Sequence, residues 1–326
     1  MKLNRRTLAA TAVALAALSL GAAQAQSFPA KPVTVIVPFA PGGGIDVLTR
    51  AIGVRLAARW GQPIVVENRP GAGSMIGSSV VARAPADGYT LLATVNQTMV
   101  GNRFIYKKMP YDVDKSFEPI SMMVKADQFI IANVNLPANS LKDVIALARA
   151  KPDTLNYGSF GNGSQPHLLF SLIKDRENVK MTHVPYNGIT PNLTALASGD
   201  VQLGSASAAV VAPLLQAGKI KLLAVAADSR ISQHPNVTTT TEQGFSYAKV
   251  AIWYGLFAPA GTPPEVVNEI RNAVQSILKD PQFAEQQVTS KGLTVIASDG
   301  RYLRDVIRKE SEVTESMVKA AGIVAE

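Results

Sequence analysis

The stretch Val33–Gly61, VTVIVPFAPGGGIDVLTRAIGVRLAARWG, decides the fold. Its first five residues are β-branched and read as a buried strand. Leu48, Ile52, Leu56 and Trp60 then recur every four residues and stop at Gly61, as a helix should. Between them lie Gly42, Gly43 and Gly44. Glycines at a helix entrance leave bare N–H groups and the positive end of the helix dipole pointing into one space, which suits an anion. The rest of the chain has to say whether that anion is a nucleotide, a reacting substrate or a passenger.

Working outward, the same alternation continues. PIVVEN reads as a strand, GSMIGSSVVARA as a helix, YTLLATV as a third strand and EPISMMVK as a fourth, the pattern of a mostly parallel sheet with helices on both faces. Near Ala126 the pattern restarts. QFIIANV, a helix Leu141–Ala150 capped by Ser140, LNYGSF, a helix begun by Ser164 and Pro166, MTHVPY, a helix begun by Thr190-Pro191, DVQLGSA and IKLLAVAA make a second α/β set. AIWYGLFAPAGTPPEVVNEIRNAVQSIL supplies a further strand and long helix, and a last helix from about Asp299 directs Leu303, Ile307 and Val313 toward a core. These closing elements pack back on the first set, so the chain crosses twice. The expected division is a first lobe over 26–126, a second over 127–248, and a return to the first over 249–326.

Residues 1–25 read as an export signal: Lys2, Arg5 and Arg6 are basic, Leu8 to Leu20 apolar, and Ala23-Gln24-Ala25 a small-x-small cleavage site. The apolar run falls short of the roughly 20 residues a membrane anchor needs. Cleavage after Ala25 leaves about 301 of 326 residues, enough for two compact lobes, and an expected periplasmic location. The chain has no cysteine, which removes disulfides, thiol nucleophiles and cysteine metal sites together. The formal charge of +8 drops to +5 without Lys2, Arg5 and Arg6. Its positive residues are scattered, so no nucleic-acid partner is expected.

Enzyme motifs fall short. A P-loop needs Lys and Ser or Thr after its last glycine, where this chain has Ile45-Asp46. Gly71 to Gly77 approximates a dinucleotide loop, but Arg69-Pro70 intervenes after the strand. No G-x-S-x-G elbow occurs, and His167, His183 and His234 lie on separate elements with no partner at i+4, so no metal and no cofactor is implied. Asp46 reads most simply as a cap or dipole partner of its helix. What recurs is one device: PFAPGGGID, YGSFGNGSQPH, PYNGITPN and LGSASAA each leave a strand through small or hydroxyl residues and enter a helix N-terminus. Open α/β sheets bind ligands at such strand ends. Five or six hydrogen bonds to a charged group, each netting roughly 1.5 to 3 kcal/mol, approach the roughly 8 kcal/mol of micromolar affinity after ordering costs. Binding is accounted for, while catalysis lacks an agent.

In order along the chain, IVPFAPGGGID, VVENRPGAGSMIG, APADGYTLL, LNYGSFGNGSQPHL, HVPYNGITP, AGKIKLLAVAADSR and WYGLFAPAGTPPEVV resemble the signature blocks of the tripartite tricarboxylate transporter receptors, also called Bug proteins. The resemblance implies a type II periplasmic-binding-protein fold, two α/β lobes joined by a two-strand hinge with the ligand cleft between them. It implies a monomeric receptor, not an enzyme, that captures a small carboxylate and delivers it to membrane permease subunits. Phe39, Ala40, Pro41, Gly42, Gly43, Ile45 and Asp46 would form one clamp. Ser159, Gly161, Gly163, Ser164 and His167 would form the facing one, with Asn96, Tyr186 and Ser205 completing the ligand-binding set. The block Glu67 to Gly73 either fixes the turn beside the cleft or touches the ligand. Where the family commonly has alanine and threonine this chain has Pro41 and Ile45, and Ser205-Ala206 replaces a Phe-x-Ser or Phe-Asp pattern. A missing acid at Ala206 disfavours ligands bearing an ammonium group, and Ile45 adds an apolar wall, so a di- or tricarboxylate, apolar or aromatic, fits. Two alternatives stay open: a sensor of the same fold that signals to a membrane partner, and a serine hydrolase using Ser159 or Ser164 with His167.

Overall fold

The computed structural model describes residues 28–231, 233–320, 323 and 325. The export signal read at residues 1–25 lies outside them. The chain runs β1 (Val33–Val37), α1 (Gly44–Trp60), β2 (Ile64–Asn68), α2 (Met75–Ala82) and β3 (Thr90–Val95), then a π-turn Gln97–Gly101 and α3 (Asn102–Ile105). Next come β4 (Phe117–Asn133), α4 (Leu141–Ala150), β5 (Asn156–Ser159), α5 (Gln165–Glu177), β6 (Thr182–Pro185), α6 (Ile189–Ser198), β7 (Leu203–Ser207), α7 (Ala208–Gln216) and β8 (Ile220–Val225). The chain finishes with β9 (Ala251–Pro259), α8 (Pro264–Lys279), α9 (Pro281–Gln287), β10 (Leu293–Val295) and α10 (Gly300–Ala320).

Local chemistry explains the early elements. Val33, Val35, Ile36 and Val37 are all buried, as expected of a strand flanked by parallel neighbours and covered on both faces. The α1 helix buries Leu48, Ile52 and Leu56 and ends where Gly61 turns left-handed at φ 64°, its N–H reaching the Ala57 carbonyl. Ser140 caps α4 as its sequence announces, its hydroxyl accepting the Asp143 N–H at 3.1 Å.

Two expectations are corrected. The fourth strand and the restart near Ala126 are one continuous strand. The polar run Lys125 to Gln128 looks like a gap, yet Lys125 leans out to Asp127 at 3.3 Å and the backbone pairing carries on. β4 pairs antiparallel with β9 as far as Asp127 opposite Ala251, then with β7 from Gln128 opposite Ser207 onward. One strand therefore belongs to both lobes, with β9 beside it at the crossing. The sheet is also mixed rather than mostly parallel. Parallel pairing is confined to β2-β1-β3 and β6-β5-β7, whereas β3-β9-β4-β7 is antiparallel because the returning strand runs back along the outgoing one.

Each lobe has a core on both faces of its sheet. In the second, Phe129 and Ile131 of β4 face one cluster with Leu196 and Val211, while Ile130 and Ala132 face another with Tyr157 and Phe170. That is the period-two alternation of a strand buried on both sides. In the first, Ile36, Leu92, Trp253 and Phe257 pack against Leu303 and Ile307 of α10. Val313 does not join them and is 60% exposed; the buried stripe of α10 continues instead through Thr314 and Val318.

Candidate ligand-binding cleft

The loop between β1 and α1 is held from behind. Gly42, at φ 84°, donates its N–H to Asp46 Oδ2 at 2.9 Å. The other Asp46 oxygen accepts from Arg50 Nε at 2.9 Å and Asn68 Nδ2 at 3.0 Å, and Asn68 also donates to the Phe39 carbonyl. Asp46 is therefore a brace, buried and fully engaged, rather than a group turned to the cleft. At Gly44 a β-carbon would collide with the Tyr254 hydroxyl, so only glycine lets the start of α1 lie against β9.

The facing loop, between β5 and α5, is braced by imidazoles. Ser159 Oγ lies 2.7 Å from His183 Nε2 and accepts the Gly161 N–H at 3.1 Å. Gly163 donates its N–H to His167 Nδ1 at 3.1 Å, and the imidazoles of His167 and His183 stack 4.1 Å apart, nearly parallel at 5°. Ser164 occupies the N-cap position of α5, but its hydroxyl donates to the Gly161 carbonyl instead of capping. The serine–histidine pairing proposed for a hydrolase, Ser159 or Ser164 with His167, is thus not formed. The serine that does meet an imidazole is Ser159, itself buried, and it meets that of the half-buried His183.

Burial pushes the His167 imidazole down to about 4, helped by the Lys174 ammonium. Burial, then His167, then Lys174 push His183 down to about 3. Both rings are neutral near pH 7, which His167 needs in order to accept from Gly163. An unfolded histidine takes up its proton near pH 6.5, so the unfolded state binds more protons below that, and stability falls as pH drops from about 6.5 toward 4. Urea midpoints are expected to decline across this window, and to decline less in His183→Gln, which removes one depressed imidazole. An identical decline in that variant would remove the pair as the cause.

Where the loops meet, the lobes are closed. The rings of Phe39 and Phe160 pack edge-on, centroids 6.4 Å apart. Thr190 Oγ1 donates to the Pro41 carbonyl at 3.0 Å, and Gln97 Nε2 to that of Asn162 at 2.8 Å. Ala40 lies beside Gly188. Behind the two phenylalanines is an inner cavity of ≈ 50 Å³, onto which Gly43, Gly44 and Ile45 open from the start of α1 and Ser207 and Val210 from the start of α7. Outside them is a more polar space of ≈ 200 Å³ between Gly71, Gly73 and Ser74 on one side and Gly161 and Tyr186 on the other.

The inner lining carries no charged side chain. Its donors are the first-turn N–H groups of α1 and α7, which have no acceptor inside their own helices, and the side chains of Ser207, Gln128 and Tyr254. Gln128 gives its amide to the Ala126 carbonyl at 3.0 Å, and its oxygen is buried without a hydrogen-bond partner. Burial, partly offset by Ser207, pushes the Tyr254 phenol up to about 12, so it remains a donor at neutral pH.

Of the residues expected at the site, Phe39, Gly43 and Ile45 line the inner cavity and Gly161 and Tyr186 the outer space. Ala40, Pro41 and Gly42 border the closure. Gly163, Ser164, His167, Ser159 and Asp46 build the clamps from behind. Asn96 is turned away: its amide donates to the Ala251 carbonyl at 3.0 Å and to Glu310 at 3.4 Å, on the side of α10. Ser205 is buried with its hydroxyl unpartnered, while its neighbours Ala206 and Ser207 reach the cavity. Gln128 and Tyr254 escaped the sequence reading. Tyr254 does lie in the WYGLF block, which was its only signal. Among the described residues no cluster of histidines and carboxylates could hold a metal ion.

Two α/β lobes sharing their crossing strands and closing over helix N-termini define a solute-binding protein. The sequence pattern described as "Tripartite tricarboxylate transporter family receptor" matches residues 48–323, and the chain belongs to that family. Protein BugT of Bordetella pertussis is 30% identical over 319 residues, covering 97% of this chain and 98% of its own. The solved structure of Rhodopseudomonas palustris Rpa4515 with adipate matches with a TM-score of 0.89 at 33% identity, covering 92% of this chain and 100% of that one. MatC of the same organism with bound malate matches at 0.85 and 32%, covering 89% and 100%.

Proposed function

We propose that this protein is a periplasmic receptor that captures a small di- or tricarboxylate between its lobes and delivers it, chemically unchanged, to a tripartite tricarboxylate transporter permease. The observation that carries this reading is the pair of helix N-termini, α1 and α7, opening from opposite lobes onto one cavity lined by no cationic side chain. Such termini hold carboxylates through N–H groups and dipole without arginine. The adipate and malate held by the two related structures support the same class of ligand. Residues 1–25 act as the cleaved export signal, 26–126 and 249–326 form one lobe and 127–248 the other, and the receptor works as a monomer.

An apolar cavity of about 150 Å³ takes one benzene. At ≈ 50 Å³ the cavity of this closed form is too small for a dicarboxylate, so ligand enters with the lobes apart and stabilises a closed form wider than this one by bridging them. A thermal-shift series of carboxylates on the mature chain tests the reading. The best ligand at 100 times its Kd is expected to stabilise by about 2.7 kcal/mol. No shift with any di- or tricarboxylate, or steady conversion of the bound one, would end it.

A further inference from the structure

The inner cavity does not end blindly. Three of its residues, Gly44, Ile189 and Val210, also line a groove of ≈ 330 Å³ that runs outward between α1 and α6. The groove is largely apolar, with Leu48, Leu193, Leu214 and Leu293 among its walls beside Thr190, Thr194 and Gln287, and it carries one charged group, Lys291. The ammonium of Lys291 is held at 2.7 Å by Gln287 Oε1, a neutral acceptor, and among the described residues it forms no ion pair with a carboxylate. The ammonium sits at Gln287, while the backbone next to Lys291 packs against the start of α7. A β-carbon on its neighbour Gly292 would stand 2.5 Å from the Ala208 side chain, at the first residue of that helix. Ile189 lines both cavity and groove, and its Cγ2 lies 3.1 Å from where a β-carbon on Gly43 would stand.

We propose that the groove is the distal half of the ligand site, taking the chain and second carboxylate of an elongated α,ω-dicarboxylate whose first carboxylate sits at the N-termini of α1 and α7. This rests on the carboxylate reading above and specifies the ligand within it. The chemistry is complementary end to end: fixed N–H donors for one carboxylate, an apolar trough for the methylenes, and an ammonium without a carboxylate partner for the other. The hydrogen bond to Gln287 leaves the Lys291 charge without a counter-charge, which a ligand carboxylate supplies.

Calorimetry of the mature chain with succinate, adipate, suberate and octanoate tests this, on wild type, Lys291→Met and Lys291→Arg. Full burial of a methylene is worth about 0.8 kcal/mol, a factor of about four, so suberate is expected to bind at least tenfold more tightly than succinate even with incomplete burial. Lys291→Met keeps the side chain's apolar length and removes its charge. It is expected to weaken suberate about tenfold, leave succinate within twofold, and bring suberate to the level of octanoate, while Lys291→Arg restores the difference. Unfolding midpoints equal to wild type show that the variants fold. The proposal is overturned if succinate and suberate bind equally, if Lys291→Met weakens both alike, or if the preference for suberate over octanoate survives Lys291→Met. Failure of every dicarboxylate to bind is a different result and removes the carboxylate reading itself.

Discussion

Gly43→Asp is expected to abolish carboxylate binding, by a thousandfold or more, while the melting temperature of the free protein stays the same or rises slightly. Gly43 is the N-cap of α1 with φ −72° and ψ 159°, an extended conformation open to any residue, and no side chain caps the helix there. Aspartate is among the preferred N-caps and contributes about 1 kcal/mol in that role. The N–H groups it would cap are those that open onto the cavity. The ligand thus loses two or more charge-assisted hydrogen bonds, each worth roughly 1.5 to 3 kcal/mol, and meets a like charge as well. A new β-carbon would stand 3.1 Å from Ile189 Cγ2, a shift of a few tenths of an ångström that a flexible side chain absorbs. Gly43→Ala introduces the same carbon without the charge and should cost only severalfold. Calorimetry and differential scanning on both variants check this, and a retained Kd in Gly43→Asp would place the ligand away from α1.

The loops that border the cavities were legible in the sequence because local chemistry builds them. Glycine-rich runs between a strand and a helix mark Phe39–Asp46 and Ser159–His167 directly, the second with Ser164 ahead of its helix. Which side chains in those loops face the cavity was not legible. That direction is set by partners far along the chain: Asn68 claims the Asp46 carboxylate, and His183 claims the Ser159 hydroxyl. The same holds for the hinge. Gln128 and Tyr254 stand in the two strands that cross between lobes, where nothing local separates a cavity donor from an ordinary strand residue. The unbroken β4 was hidden for a related reason. Lys125 and Asp127 look like a loop by composition, but pairing with β9 holds them in a strand through backbone groups that every residue carries.

Closure itself can be attacked without touching the cavity, and Gly101→Val is expected to lower carboxylate affinity about a hundredfold in this way. Gly101 ends the π-turn after β3, in the first lobe, and has ordinary helical dihedrals of −59° and −44°. No backbone strain therefore calls for glycine. Space does: a β-carbon there would overlap the carbonyl oxygen of Gly163, in the facing clamp. That neighbour is backbone, pinned by the Gly163 N–H to His167 and by its own φ of 73°, so it cannot swing aside as a side chain would. Any β-carbon holds the two faces apart near the Gln97–Asn162 hydrogen bond, and a branched one more so. If the closed state becomes a hundredfold rarer, apparent affinity falls by the same factor, because only the closed state makes both sets of contacts. Small-angle scattering is expected to show wild type contracting on addition of ligand and Gly101→Val remaining extended, with Gly101→Ala between them and the melting temperature of the free form unchanged. Charge does not enter this defect, so it should persist across carboxylates of every length, unlike the length-selective loss in Lys291→Met. A variant that closes and binds as wild type would show that the lobes do not meet through these two glycines. A variant that melts many degrees lower yet binds normally when folded would make the contact part of the permanent hinge.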